Sequence, residues 1–298
     1  MLQGRSFEKL GKLSAAVAAM AFMASPALVQ AEESAPPVNS GKLTVTAGID
    51  WVSQYVFRGV VQQDQGLVLQ PYVDLGFKLW QGDGPVNSVT LNTGIWNSMH
   101  SDDTTPLGVT ANKSGPWFEA DLYAGVSVGL FKDWTATVTY VSYNYPNNAT
   151  SQIEELDVKV AYNDSELMGP FALAPYALWA IEIDDGNGAE NQYWEFGVAP
   201  GFTLIESQDY PVKLTFPVTV GLSTDHYYLE DNGQNDLLGF VSGGIIASMP
   251  ITCIPKEYGS WTLTGGVIVY YHGEGATGAS SGTESFEIVG KAGISMSY

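Results

Sequence analysis

Cysteine is almost absent: Cys253 is the only one in 298 residues, which excludes a disulfide framework and any thiolate-cluster metal site. Histidine is nearly as scarce, at His100, His226 and His272. Basic residues number 12 against 32 acidic ones, for a formal net charge of −20. Nucleic acid is excluded as a partner on that ground, since phosphate binding needs Lys and Arg to displace counterions. Charged residues of both signs make up only 15% of the chain, against about a quarter in ordinary soluble domains. Beyond the extreme N-terminus there is no run of 18 apolar residues, so a helical membrane protein is excluded as well. What the chain has instead is 33 Gly and 12% aromatic residues. That is too aromatic for disorder and points to one Gly- and Tyr-rich all-β unit.

The N-terminus reads as an address. Arg5, Lys9 and Lys12 precede an apolar stretch from Leu13 to Met23, then Pro26 and the small-residue ending Val29-Gln30-Ala31. This is the plan of a secretory signal peptide over residues 1–31, cleaved after Ala31. The apolar stretch is too short to anchor the chain in a bilayer, and no Cys lies near the cleavage site to carry a lipid. Residues 32–41 form a polar, flexible periplasmic leader, and 42–298 the exported domain.

Along that domain the hydrophobic period is two. Phe118, Ala120, Leu122, Ala124, Val126, Val128 and Leu130 alternate with Glu119, Asp121, Tyr123, Gly125, Ser127 and Gly129. Successive strand side chains point to opposite faces, so one face is apolar and the other polar or small. The same split runs through Leu43–Arg58, Leu67–Trp80 and Phe286–Tyr298. About twelve such segments are predicted: 42–58, 66–80, 86–98, 116–130, 134–145, 153–163, 169–183, 191–206, 211–224, 237–250, 260–272 and 284–298. The 237–250 segment alternates least. Connections at one end are short (81–85, 131–133, 164–168, 207–210, with 251–259 longer). Those at the other end (99–115, 184–190, 225–236, 273–283) are long and rich in Asp, Asn, Gly, Ser and Thr. A soluble β-sandwich also alternates, but gives no reason for loop length to segregate by end.

The prediction is therefore an all-β, antiparallel up-and-down transmembrane β-barrel of about twelve strands in the outer membrane, with short periplasmic turns and longer outer loops. A closed sheet leaves no backbone hydrogen bond open to lipid. Aromatics near the predicted strand ends (Trp51, Tyr55, Phe57, Trp80, Trp96, Trp117, Trp134, Tyr143, Tyr145, Trp194, Trp261, Tyr270 and Tyr271) are expected in interfacial girdles. Outer-membrane lipids and lipopolysaccharide are the expected surroundings. The C-terminal strand ending at the aromatic Tyr298 is expected to engage the barrel-assembly machinery.

The stretch Val52-Ser53-Gln54-Tyr55-Val56-Phe57-Arg58-Gly59-Val60, with Gln62 and Asp64, resembles the opening S-x-Y-x-F-R-G motif of the TorF-type porin family of conserved bacterial outer-membrane barrels. Gly94-Ile95-Trp96, Glu119 to Gly125, and Tyr140 through Tyr143 to Tyr145-Pro146 follow in order. The resemblance is tight over roughly 45–150 and diffuse afterwards. The long segments 99–115 and 225–236 depart from it, as does the continuation of Gly94–Met99. It implies an outer-membrane barrel that passes small solutes, without naming one.

If the apolar set faces lipid, the lumen is lined by Asp50, Arg58, Asp74, Lys78, Glu119, Asp121, Glu155, Asp157, Lys159, Glu182, Glu195, Lys213, Glu287 and Lys291. Acids outnumber bases there, which favours cations; equally, the charges could pair across strands and fill a narrow barrel. In a first hairpin whose paired residue numbers sum to 124, Asp50 opposes Asp74 and Arg58 opposes Gly66. Barrel closure then brings Lys291 near Asp50 and Glu287 near Arg58. This predicts a mid-barrel seam network of Asp50, Asp74, Lys78 and Lys291, with Arg58 and Glu287 nearer the outer mouth.

Catalytic signals are sparse. All three His fall at predicted outer ends, and the pairs Ser98/His100 and Ser223/His226 carry no recognisable nucleophile motif. No enzyme activity, cofactor or metal is expected. The Asp184–Gly188 and Asp231–Asp236 stretches lack the ligand spacing of a calcium loop. Cys253 falls in a periplasmic turn. A closed structural or adhesive barrel is the alternative to a channel, with segment 99–115 long enough to fold inward; a lipid-modifying enzyme is the remaining one.

Overall fold

A computed structural model describes residues 41–102, 116–147, 151–184, 191–207, 209–230, 233–278 and 285–298. The signal peptide, its cleavage site, nearly all of the leader, and most of segments 99–115 and 184–190 lie outside the described residues.

The chain forms β1 (Leu43–Val52), β2 (Tyr55–Phe57), β3 (Val60–Gln63), β4 (Val68–Gln81), β5 (Val86–His100), β6 (Trp117–Leu130), β7 (Trp134–Asn144) and β8 (Ile153–Tyr162). There follow β9 (Tyr176–Asp184), β10 (Gln192–Val198), β11 (Gly201–Ile205), β12 (Val212–Thr215), β13 (Val218–Asp225), β14 (Leu238–Pro250), β15 (Ser260–His272) and β16 (Phe286–Ser297). All neighbours pair antiparallel, and β1 closes on β16 from Thr46↔Ser297 to Val52↔Lys291. Val45 and Tyr298 exchange backbone hydrogen bonds at the end of that seam.

Two wall strands are each broken by proline. Pro200 separates β10 from β11, and Pro217 separates β12 from β13. Proline cannot donate to a ladder, and the two breaks lie side by side: β10 pairs with β13, and β11 with β12. Counting each broken pair once, and setting aside β2 and β3, the wall is a closed twelve-stranded barrel. The weakly alternating 237–250 segment is a full wall strand, β14.

The alternation separates the two faces of the wall. Ile49, Val73, Phe77, Leu91, Leu122, Val126, Val138, Phe196, Ile245, Val267 and Ile288 are exposed on the outside, while their sequence neighbours turn inward. Outer aromatics pack across strands, Trp134 tilted against Tyr162 at 4.7 Å and Trp179 stacked on Trp194 at 5.5 Å. Trp51, Trp80, Trp117, Trp134 and Tyr271 are exposed.

Three expectations need correction. The predicted strand 42–58 ends at Val52, because Tyr55–Gln63 leaves the wall as a hairpin of its own, β2–β3. Consequently Tyr55, Phe57, Trp96, Tyr143 and Tyr145 are buried inside the barrel and belong to no girdle. The connection predicted as 164–168 runs from 163 to 175, carrying a helical turn, Ser165–Met168, and a 3-10 turn, Gly169–Phe171. There the Asp164 carboxylate accepts the N–H groups of Leu173 at 2.8 Å and Ala174 at 2.9 Å. Burial pushes its pKa up, but these N–H groups outweigh that and hold it below the usual value. Finally, β1 and β4 pair with a sum of 120: Asp50 opposes Gln70, and Asp74 opposes Thr46.

Candidate functional site

The site grows from two residues. Phe57 pairs with Val60 across the loop Arg58-Gly59, whose φ values are 44° and 77°. Positive φ at both central positions is the type I′ hairpin turn. Gly59 supplies it freely, and its bareness is needed twice: a Cβ there would lie 2.7 Å from Cβ of Phe240 on β14. Arg58 adopts it at a cost of about 1–2 kcal/mol, so its contacts must hold it.

They do so across the whole lumen. The Arg58 guanidinium meets Glu155 of β8 through two parallel bonds, Nη1 to Oε2 at 2.7 Å and Nη2 to Oε1 at 2.6 Å. Asp157 lies 3.8 Å away. Arg58 Cζ sits 4.2 Å from the Tyr193 ring centroid, 4.8 Å from Phe57 and 5.4 Å from Tyr227. Tyr227 Oη accepts a further bond at 3.2 Å, and Tyr228 Oη donates to the Arg58 carbonyl at 2.6 Å. Both side chains of the Arg58–Glu155 pair are 2% exposed.

The rest of the hairpin is seated likewise. Tyr55 Oη donates to Glu119 Oε2 of β6 at 2.8 Å, and Tyr145 Oη to Glu119 Oε1 at 3.2 Å. Tyr55 and Phe57 join a buried cluster with Trp96, Phe118, Tyr143 and Val289, whereas Val60 joins a second one with Tyr193, Tyr228 and Phe240. Burying such side chains contributes about 1.5–3 kcal/mol each. One hairpin touching β5, β6, β8, β10 and β14 crosses the lumen as a plug that narrows it. Its root is tied to the last strand: Ser53 N donates to the Gly290 carbonyl at 2.9 Å, and Gly290 N to Ser53 Oγ at 2.8 Å.

Around the plug stand six buried carboxylates, Glu119, Asp121, Glu155, Asp157, Glu182 and Glu195, against Arg58 and Lys159. Tyrosines satisfy several: Tyr143 Oη donates to Glu155 at 3.0 Å, and Tyr176 and Tyr193 to Glu195 at 2.7 and 2.6 Å. Asn191 donates to Glu182 Oε2 at 2.6 Å. Lys159 Nζ lies 4.2 Å from the Tyr176 ring centroid. Both Asp121 oxygens are buried with no hydrogen-bond partner among the described residues.

The remaining expected lumen residues scatter. Lys291 Nζ lies 2.9 Å from Asp50 Oδ2 across the closure seam. Asp74 is not part of that seam; it accepts a hydrogen bond from Tyr123 on β6. Lys78 is exposed towards the short-turn end of β4, beside Lys42, so the predicted four-residue network reduces to one pair. Lys213 is also exposed, on the face opposite Leu214. Glu287 opposes Tyr270 near the outer rim. Arg58 does not pair with it, because the guanidinium turns away to β8.

Sequence reasoning missed the tyrosines as partners of the lumenal acids. Parity was the available signal, since Trp96 shares its face with Asn92 and Ser98, and Tyr123 shares one with Glu119 and Asp121. Ser98 and His100 do meet, Oγ to Nε2 at 2.8 Å, but Ser98 is fully buried and His100 stacks on Phe118 at 4.7 Å beneath Tyr55. Among the described residues no three His, Cys, Asp or Glu are grouped to hold a metal ion. Cys253 is free and exposed.

A family model described as a bacterial protein of unknown function, Gcw_chp, matches residues 37–207, from before β1 to the end of β11. No protein of curated function matches the sequence. Solved structures similar in fold include an outer membrane channel of Pseudomonas putida F1 (TM-score 0.48, 13% identity, covering 86% of this chain and 94% of that one). LpxR from Salmonella typhimurium (0.44, 8%, 85% and 99%) and the β domain of the Bordetella autotransporter BrkA (0.42, 8%, 87% and 99%) are others.

Proposed function

Because the chain belongs to the Gcw_chp family of bacterial proteins of unknown function, its family assigns it no activity, and we propose from the lumen itself that it is an outer-membrane channel for small solutes with a preference for cations. The observation that carries this reading is the buried acid excess, six carboxylates against Arg58 and Lys159, with Asp121 unpartnered among the described residues. An enclosed, low-dielectric passage lined with one sign of charge concentrates the opposite sign. The resemblance of the 52–64 stretch to TorF-type porins agrees with it. The exposed apolar wall takes outer-membrane lipid, with lipopolysaccharide at the outer rim, and the strand ending at Tyr298 is the handle for the barrel-assembly machinery.

The plug narrows the outer part of the lumen, so conduction needs the hairpin to shift or solutes to thread beside it. Planar-bilayer recording under a potassium chloride gradient tests the reading. Discrete steps with a reversal potential on the cation-selective side support it; anion selectivity overturns it. The seated hairpin, with its two buried clusters, favours a second reading, a closed structural barrel. That reading predicts electrical silence from both the native chain and variants with the hairpin loosened.

A further inference from the structure

The cage around Arg58 has a property that a plain ion pair does not need. Four of its parts belong to the barrel: Glu155 and Asp157 on β8, Tyr193 on β10 and Tyr227 in the outer loop that follows β13. Only Phe57 comes with the hairpin. Glu155 presents both oxygens to a planar fork, at 2.6 and 2.7 Å. Tyr143 orients that carboxylate from behind. Tyr193 offers a ring face at 4.2 Å, and Asp157 a second negative charge at 3.8 Å. A bidentate carboxylate plus aromatic faces is the arrangement that distinguishes guanidinium from ammonium or a simple metal cation. Arg58 enters this cage from a backbone that is itself strained, with φ of 44°.

We propose that the barrel wall carries a recognition site for guanidinium-class cations, of which Arg58 is the tethered occupant, and that a free solute of this class competes with Arg58 and releases the hairpin. The solute assignment rests on the channel reading; the binding does not. A tethered group acts at an effective concentration of order millimolar or higher, so the native cage is largely occupied by its own arginine. Displacing it lifts the turn bearing Arg58 and Gly59 from Phe240 and opens the lumen along the hairpin.

The test uses the full mature chain in detergent. R58N empties the cage while suiting the turn, since Asn tolerates positive φ. Arginine methyl ester and lysine methyl ester are titrated calorimetrically at equal ionic strength. Saturable binding of the arginine ester to R58N, at least about tenfold tighter than the lysine ester and lost in R58N/E155Q, supports the proposal; equal binding of the two esters overturns it. Should R58N fail to fold, the native chain decides. Arginine ester must then speed amide exchange of Tyr55–Gln63 more than lysine ester does, and equal exchange overturns the proposal. Bilayer recording separates the two readings: conductance without arginine preference sinks the cage alone, and arginine binding by a silent barrel sinks the channel alone.

Discussion

Replacing Glu155 by Gln should unseat the hairpin while leaving the barrel standing. The change keeps the shape of the side chain but removes the charge and one acceptor facing the Arg58 fork. Breaking a buried ion pair by removing one partner costs about 3–5 kcal/mol, because the other charge is left uncompensated. Here Asp157, 3.8 Å away, and the Tyr193 ring compensate in part, so the lower end applies, about 3 kcal/mol. The positive φ of Arg58 adds nothing to this figure, since it is present before and after. The loss is local, because β2 and β3 form a sheet of their own with no ladder to the wall. At about 1.4 kcal/mol per tenfold, amide exchange within Tyr55–Gln63 should quicken by roughly two orders of magnitude, with wall strands such as β6 and β15 unchanged. Exchange measured by mass spectrometry in detergent reads both regions at once. Unaltered hairpin protection would refute the clamp, and equal loss in the wall would show that the pair supports the whole barrel instead.

Three more outcomes are expected. Gly59→Ala forces a Cβ to 2.7 Å from Phe240 in a left-handed turn, costing about 1–3 kcal/mol; single-channel recording should show longer or larger openings, and unchanged gating would count against the plug. Asp121→Asn replaces a buried carboxyl whose oxygens have no hydrogen-bond partner among the described residues, so the thermal midpoint should rise by the equivalent of about 1–3 kcal/mol while cation selectivity falls; a lowered midpoint would refute this. Asp164 titrates below the ordinary carboxyl value in the fold, so its stabilisation is complete above that ordinary value and is lost as pH falls through the depressed one. Asp164→Ala should therefore lower stability by about 1–2 kcal/mol at pH 7 and by progressively less as the pH falls below the ordinary carboxyl range, which thermal melts across an acid series would check.

The wall was legible because alternation reports facing directly, and long and short connections label its two ends. Even the wrong register did little harm there. Moving the β1–β4 pairing sum from 124 to 120 is an even step, so Asp50 still looks inward although its neighbour is Gln70 rather than Asp74. The hairpin was illegible for the same reason: Tyr55 to Gln63 alternates like the strand before it, and periodicity cannot tell a strand in the wall from one that has left it. The cage could not be read at all, because Arg58, Glu155 and Tyr193 are far apart in sequence and meet only through closure. Pro200 and Pro217 interrupted two predicted strands without altering the count, because β14 pairs with both β12 and β13, and these two pair in turn with β11 and β10.

The knot of hydrogen bonds between Ser53 and Gly290 joins the base of the hairpin to β16, the strand that closes the wall on β1. Closing β1 on β16 therefore also fixes the root of the stopper, so the seam and the stopper share one set of bonds. Lesions near Gly290 should then weaken the seam and unseat the stopper together.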